Sequence, residues 1–149
     1  MNIVPLEDDV IKYSHEILDD ILIKLLYVQK QSKYSHWNIK GILFIPIHKF
    51  FDDIFDIATA SSDKIAERIA QLGIIISEEP EALDAELKTT TDMTTHISLM
   101  IGSLTELSQT LNYGIRQRQE YDPVTADILT TICTDIDKLL WFAKSMSTS

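Results

Sequence analysis
The sequence has one cysteine, Cys133, four glycines and four prolines in 149 residues. A single cysteine has no partner within the chain, so no internal disulfide framework is possible, and a reducing cytoplasm is the expected compartment. Scarce Gly and Pro suit long uninterrupted helices and argue against disordered or collagen-like classes. Apolar stretches never approach the ~18 residues of a membrane span, because Asp19, Asp20 and Lys24 interrupt the greasiest segment. Met1-Asn2-Ile3-Val4-Pro5-Leu6-Glu7 has neither the basic start nor the apolar run of a secretory signal. The expectation is a soluble cytoplasmic protein with no membrane partner. Basic clusters are missing too. The first eleven residues and the last five contain no Lys or Arg, and the net charge is -10 with a pI near 4.7. Such a field repels a phosphate backbone and attracts cations.

What is present is apolar residues at helical spacing. The length fits a single domain, 1-149. Apolar residues recur with the period of a helix in four long blocks, and none shows the alternation of a strand. The first runs from about Leu6 to Asn38 (Val10, Ile17, Ile21, Leu25, Val28), with Gly41 close behind. The second runs from about Pro46 to Leu72 (Phe51, Ile54, Ala58, Ile65, Ile69), with Gly73 as its stop. Met93, Ile97, Met100, Leu104, Leu107 and Leu111 mark the third; Val124, Ile128, Ile132, Ile136 and Leu139 mark the fourth. Asp122-Pro123 reads as N-cap and first helical residue of the fourth helix. Between Gly73 and Thr91, Glu81 to Leu87 is an amphipathic piece expected to form one or two helical turns. The fold class is therefore all-α, a ferritin-like four-helix bundle with a short extra helix in the long connection between helices 2 and 3.

Five potential metal ligands at telling spacings fall between positions 36 and 67: His36, His48, Asp52, Asp63 and Glu67. His48 and Asp52 are i,i+4 neighbours, as are Asp63 and Glu67, so each pair shares a helical face. Asp52 and Asp63 lie about 20° apart around the axis but about 16 Å apart along it. Metal bonds are about 2.0 to 2.5 Å long, so one helix cannot close the site. An antiparallel copy across a two-fold axis would bring Asp63 and Glu67 of one chain opposite His48 and Asp52 of the other, closing two sites per dimer. The ligand stripe lies about 100° from the Phe51 and Ile69 stripe, giving the helix a core face and an interface face. His36 sits on the extrapolated stripe of Leu18, Leu22 and Leu25 and points inward beside helix 2, a third ligand from the first chain. Singly, each residue has a plainer explanation, a core histidine or a solvated carboxylate. The set of two histidines and three carboxylates suits Fe(II), and zinc or manganese also fits, so spacing leaves the metal open.

The motifs Ser35-His36-Trp37-Asn38-Ile39-Lys40-Gly41, His48-Lys49-Phe50-Phe51-Asp52 and Asp63-Lys64-Ile65-Ala66-Glu67 together resemble the Dps mini-ferritin signature. Asp122 to Asp127 and Asp137 to Phe142 resemble that family's last helix. The resemblance implies a hollow homo-dodecamer whose ferroxidase sites lie at two-fold interfaces and whose cavity stores Fe(III) mineral. His36, His48 and Asp52 would come from one subunit and Asp63 and Glu67 from its mate. Iron would be oxidised with hydrogen peroxide, protecting against oxidative damage. The resemblance also places Trp37 beside the metal, where the plainer alternative is a core aromatic, and makes Asp122 and Asp127 candidates for a three-fold pore. Asp122 has the N-cap as a competing role. DNA-compacting members use a Lys-rich or Arg-rich tail, which neither end of this sequence shows, so DNA is not an expected partner. The alternative is a structural nucleoid DNA-binding protein with a secondary metal site. A plain helical interaction module leaves the ligand spacing unexplained. No role is assigned to His15 or His96.

Overall fold
A computed structural model describes residues 3 to 147. It contains four long helices: α1 (Asp8–Asn38), α2 (Phe44–Gln71), α3 (Met93–Arg118) and α4 (Pro123–Ser147). A 3-10 turn, Ala85–Lys88, lies in the long connection. Among the described residues the only β-type pairing is an isolated bridge between Lys40 and Asp92, so the all-α class holds. No helix among them is long and apolar enough to cross a membrane.

Helix ends follow local chemistry. α1 begins at Asp8, two residues after Leu6, with Glu7 extended before it. α2 begins two residues before Pro46, which falls in the first turn, where a missing N–H breaks no helical bond. At its far end Gly73 has φ 84°; its N–H bonds to Ala70 O and that of Ile74 to Ile69 O, so left-handed glycine terminates the helix as its position implied. Asp92 caps α3 by accepting from Thr95 N at 2.9 Å.

The short loop after α1 makes α1 and α2 antiparallel neighbours, and α3 and α4 pair likewise. Between the pairs lies a core in which Leu18, Ile21, Leu25, Phe51, Ile54, Ile65, Ile69, Met100, Leu104, Leu107, Leu111, Leu129 and Ile136 are fully enclosed. The apolar stripes therefore face inward, with an exception at Val124, which is 56% exposed in the first turn of α4.

The connection differs from expectation. Only Ala85–Lys88 is helical, and it is a 3-10 turn; residues 81 to 84 are not. The segment is held from outside. Asn38 Nδ2 donates to Leu87 O (3.0 Å), Asp84 N donates to the Tyr27 hydroxyl (3.1 Å), and Leu83 and Leu87 are buried. These anchors, with the Asp84 carboxylate accepting from Glu86 N, fix a path that amphipathic spacing alone does not specify.

Candidate metal centre
The end of α1 and the start of α2 run side by side, and this brings His36 and His48 together. Each imidazole donates Nδ1–H to the backbone carbonyl of the other, both at 2.7 Å. Their rings stack with centroids 3.5 Å apart and planes at 12°, and Phe44 stacks on the outer face of His48 at 4.6 Å. A carbonyl can only accept, so Nδ1 must carry the proton. The neutral ring then keeps its lone pair on Nε2, the arrangement that orients a metal-binding histidine. Both rings are half-buried.

Asp52 lies one turn beyond His48 on α2, also half-buried. Its Oδ1 accepts from Lys33 Nζ at 2.6 Å. This hydrogen bond holds its carboxyl below the ordinary carboxylate range, partial burial working against it and the Lys33 charge adding to it. Asp63 and Glu67 are exposed further along α2, and neither side chain has a hydrogen bond or ion pair with another described residue. No three His, Cys, Asp or Glu side chains among the described residues stand close enough to hold a metal together. The chain pairs His36 with His48, sets Asp52 one helical turn beyond His48, and leaves Asp63 and Glu67 further along α2.

Two features of this place escaped the sequence reading: Lys33, which lies three residues before His36 on the same face and so was visible in principle, and the reciprocal histidine–carbonyl pairing. Other expectations need correction. Trp37 is not a core aromatic, being 62% exposed and tilted against Tyr34. Asp122 does not face outward as a pore residue would; it is 1% exposed and bonded to Ser14, Arg68 and Thr125. Asp127 is exposed. His96 is a fully buried histidine bonded to Ser35 Oγ (2.8 Å) and Thr90 O (2.9 Å). His15 pairs with Asp19 one turn along α1 at 2.8 Å.

The fold and these positions define a ferritin-like bundle, and comparison with known proteins agrees. The Ferritin-like domain family matches residues 15–148. A "DNA protection during starvation protein" of Agrobacterium fabrum is 31% identical over 136 residues, covering 87% of this chain and 84% of that one. Another of that name, protein 2 of Deinococcus radiodurans, is 27% identical over 139 residues, of which this chain spans only 57% of the length. In structure, DpsC from Streptomyces coelicolor superposes with a TM-score of 0.89 at 20% identity, covering 98% of this chain and 90% of that chain, a likeness of fold. The chain belongs to the ferritin-like family, among its Dps-type mini-ferritins.

Proposed function
We propose that the chain is the subunit of a hollow homo-dodecamer that binds Fe(II) at ferroxidase sites shared between two subunits, oxidises it with hydrogen peroxide and stores the Fe(III) as mineral. The observation that carries this reading is the locked histidine pair. Both rings donate Nδ1–H to carbonyls, which leaves both Nε2 atoms without a protein partner, and Asp52 lies one helical turn beyond His48 on α2. A core histidine such as His96 spends both ring nitrogens on the protein. His36 and His48 spend one each. Asp63 and Glu67, exposed and without a described partner on the same helix, supply the carboxylates that the histidine half lacks when a second copy is placed antiparallel.

Paired Fe(II) ions each give one electron, so the O–O bond of peroxide is cleaved to two hydroxides in one two-electron event and no hydroxyl radical is set free. Spin trapping tests this: with the protein in excess over Fe(II), the radical adduct after peroxide addition is expected to fall to a small fraction of that from free Fe(II). Equal yields would overturn the protective chemistry.

The relatives' names speak of DNA protection. Removing iron and peroxide protects DNA without touching it, and charge favours that route here: twelve copies at -10 give a shell of about -120. A gel shift at about 150 mM salt should show no retention of duplex DNA. Tight retention would favour the nucleoid-binding reading.

A further inference from the structure
Away from the histidine pair, the face where α1 meets α3 holds a cleft of about 700 Å³, bordered on one side by the connection at Glu81, Asp84 and Leu87. None of the five candidate metal ligands lines it. Small-molecule sites have volumes of roughly 300 to 1,000 Å³, so the size suits an organic ligand. The α3 wall is open at Gly102, where a Cβ would meet no atom within 4 Å. Val28 and Leu87, both buried, supply apolar surface. Tyr27 is fixed in the lining, its hydroxyl accepting from Asp84 N at 3.1 Å.

Gln31 also lines the cleft. Its side chain is 1% exposed, yet its amide oxygen has no hydrogen-bond partner among the described residues. An acceptor left unpaired in a buried place is costly, and this one lacks a donor that the chain does not supply. Charge specifies the donor further. Four carboxylates in the lining, Asp20, Glu81, Asp84 and Glu106, stand against one ammonium, Lys24. The chain's own ammonium shows what they accept: Lys24 pairs with Asp20 on α1 and comes within 3.9 Å of Glu106 on α3. An inorganic ion needs several ligands at once, and no three His, Cys, Asp or Glu side chains among the described residues stand close enough to hold one. An organic ammonium needs no such cage. It takes an amide oxygen and single carboxylates as separate acceptors and lays its carbon chain on apolar and aromatic surface.

We propose that this cleft binds an aliphatic polyamine, a flexible chain with two or more ammonium groups, whose N–H donors satisfy the Gln31 amide oxygen and the Glu81 carboxylate. The ligand bridges α1, α3 and the connection, and so adds to the anchors that Asn38 and Tyr27 already provide there.

The test is calorimetric titration of the complete assembly with spermidine at about 150 mM salt, which screens diffuse attraction to an acidic surface. The native protein is expected to bind one spermidine per chain, saturably, with a Kd below about 1 mM. Gln31→Met keeps the length of the side chain and the net charge and removes the amide. Binding should weaken about tenfold or more, while the unliganded variant melts no lower than the native protein because the orphaned acceptor is gone. Gly102→Leu fills the cleft, again without a change of charge, and should abolish binding; it serves alone if Gln31→Met assembles poorly. Diffuse condensation of cations on the acidic shell would respond to neither change.

No saturable binding by the native protein, or undiminished binding by Gly102→Leu, overturns the site. Undiminished binding by Gln31→Met overturns the role given to its amide. Displacement of spermidine by an equal concentration of Mg(II) would mark an inorganic cation site and overturn the amine assignment.

Discussion

At the scale of single residues, Asp122 shows how burial and bonding decide a role. Its carboxylate accepts from Ser14 Oγ at 2.6 Å, Arg68 Nη2 at 2.9 Å, Thr125 Oγ1 at 2.6 Å and Thr125 N at 3.3 Å. Burial alone would push its carboxyl upward; the bonds from Ser14 and Thr125 and the Arg68 charge outweigh that and hold it below the ordinary value. A carboxylate whose folded value is depressed stabilises the fold at pH above its unfolded value of about 3.9, and this contribution is lost as pH falls through the folded value. Asp122→Asn leaves the Arg68 guanidinium, 5% exposed, without its counter-charge. The expected cost is about 3 kcal/mol at pH 7, seen as a lower melting temperature at fixed protein concentration, and the gap between mutant and wild type should narrow as pH drops below about 4. A difference under about 0.5 kcal/mol at pH 7 would show the pair to be dispensable. The capping role of Asp122 was legible from the Asp-Pro dipeptide. Its partner was not, because Arg68 is 54 positions away and no local pattern connects them.

At the scale of elements, α3 carries two glycines with opposite prospects. Gly102 and Gly114 stand about 120° apart around the helix, so they face different surroundings. A Cβ on Gly102 would meet no atom within 4 Å, and one on Gly114 would come within 2.8 Å of Leu129 Cδ1 and 2.9 Å of Ile17 Cγ2. Gly102→Ala should therefore raise stability by up to about 1 kcal/mol, the helix-propensity gain, and Gly114→Ala should lower it by about 1 to 3 kcal/mol through overpacking between α1 and α4. Thermal melts of the two variants moving in the same direction would contradict this. Gly114 continues the stripe of Leu107 and Leu111, so its inward position was readable from periodicity, as were all four helices. The 3-10 connection was not, because its path is fixed by Asn38 and Tyr27 of a different element. The start of α2 two residues before Pro46 likewise reflects what a first turn tolerates rather than what proline signals.

At the scale of the whole molecule the question is how two half-sites on one chain become a working site. The i,i+4 spacings and the offset of about 16 Å were visible in the sequence, and they already imply that the chain cannot complete the site alone. The locked histidine pair was not visible, since it depends on how the ends of α1 and α2 approach. Complementation between mutants tests the sharing directly. One chain carries His36→Ala, His48→Ala and Asp52→Ala; another carries Asp63→Ala and Glu67→Ala, so every site in either homo-oligomer lacks one half. Both should be nearly inactive in Fe(II) oxidation. In a mixed dimer, one site joins the intact histidine half of the second chain to the intact acidic half of the first, and the other site lacks both halves. With random mixing of equal amounts, half the dimers are mixed and each has one working site of two, so activity should recover to about a quarter of wild type. Mass spectrometry confirms that hybrids have formed. Hybrids without recovered activity, or a parent that keeps most of its own, would show that the ligands do not act across the two-fold axis.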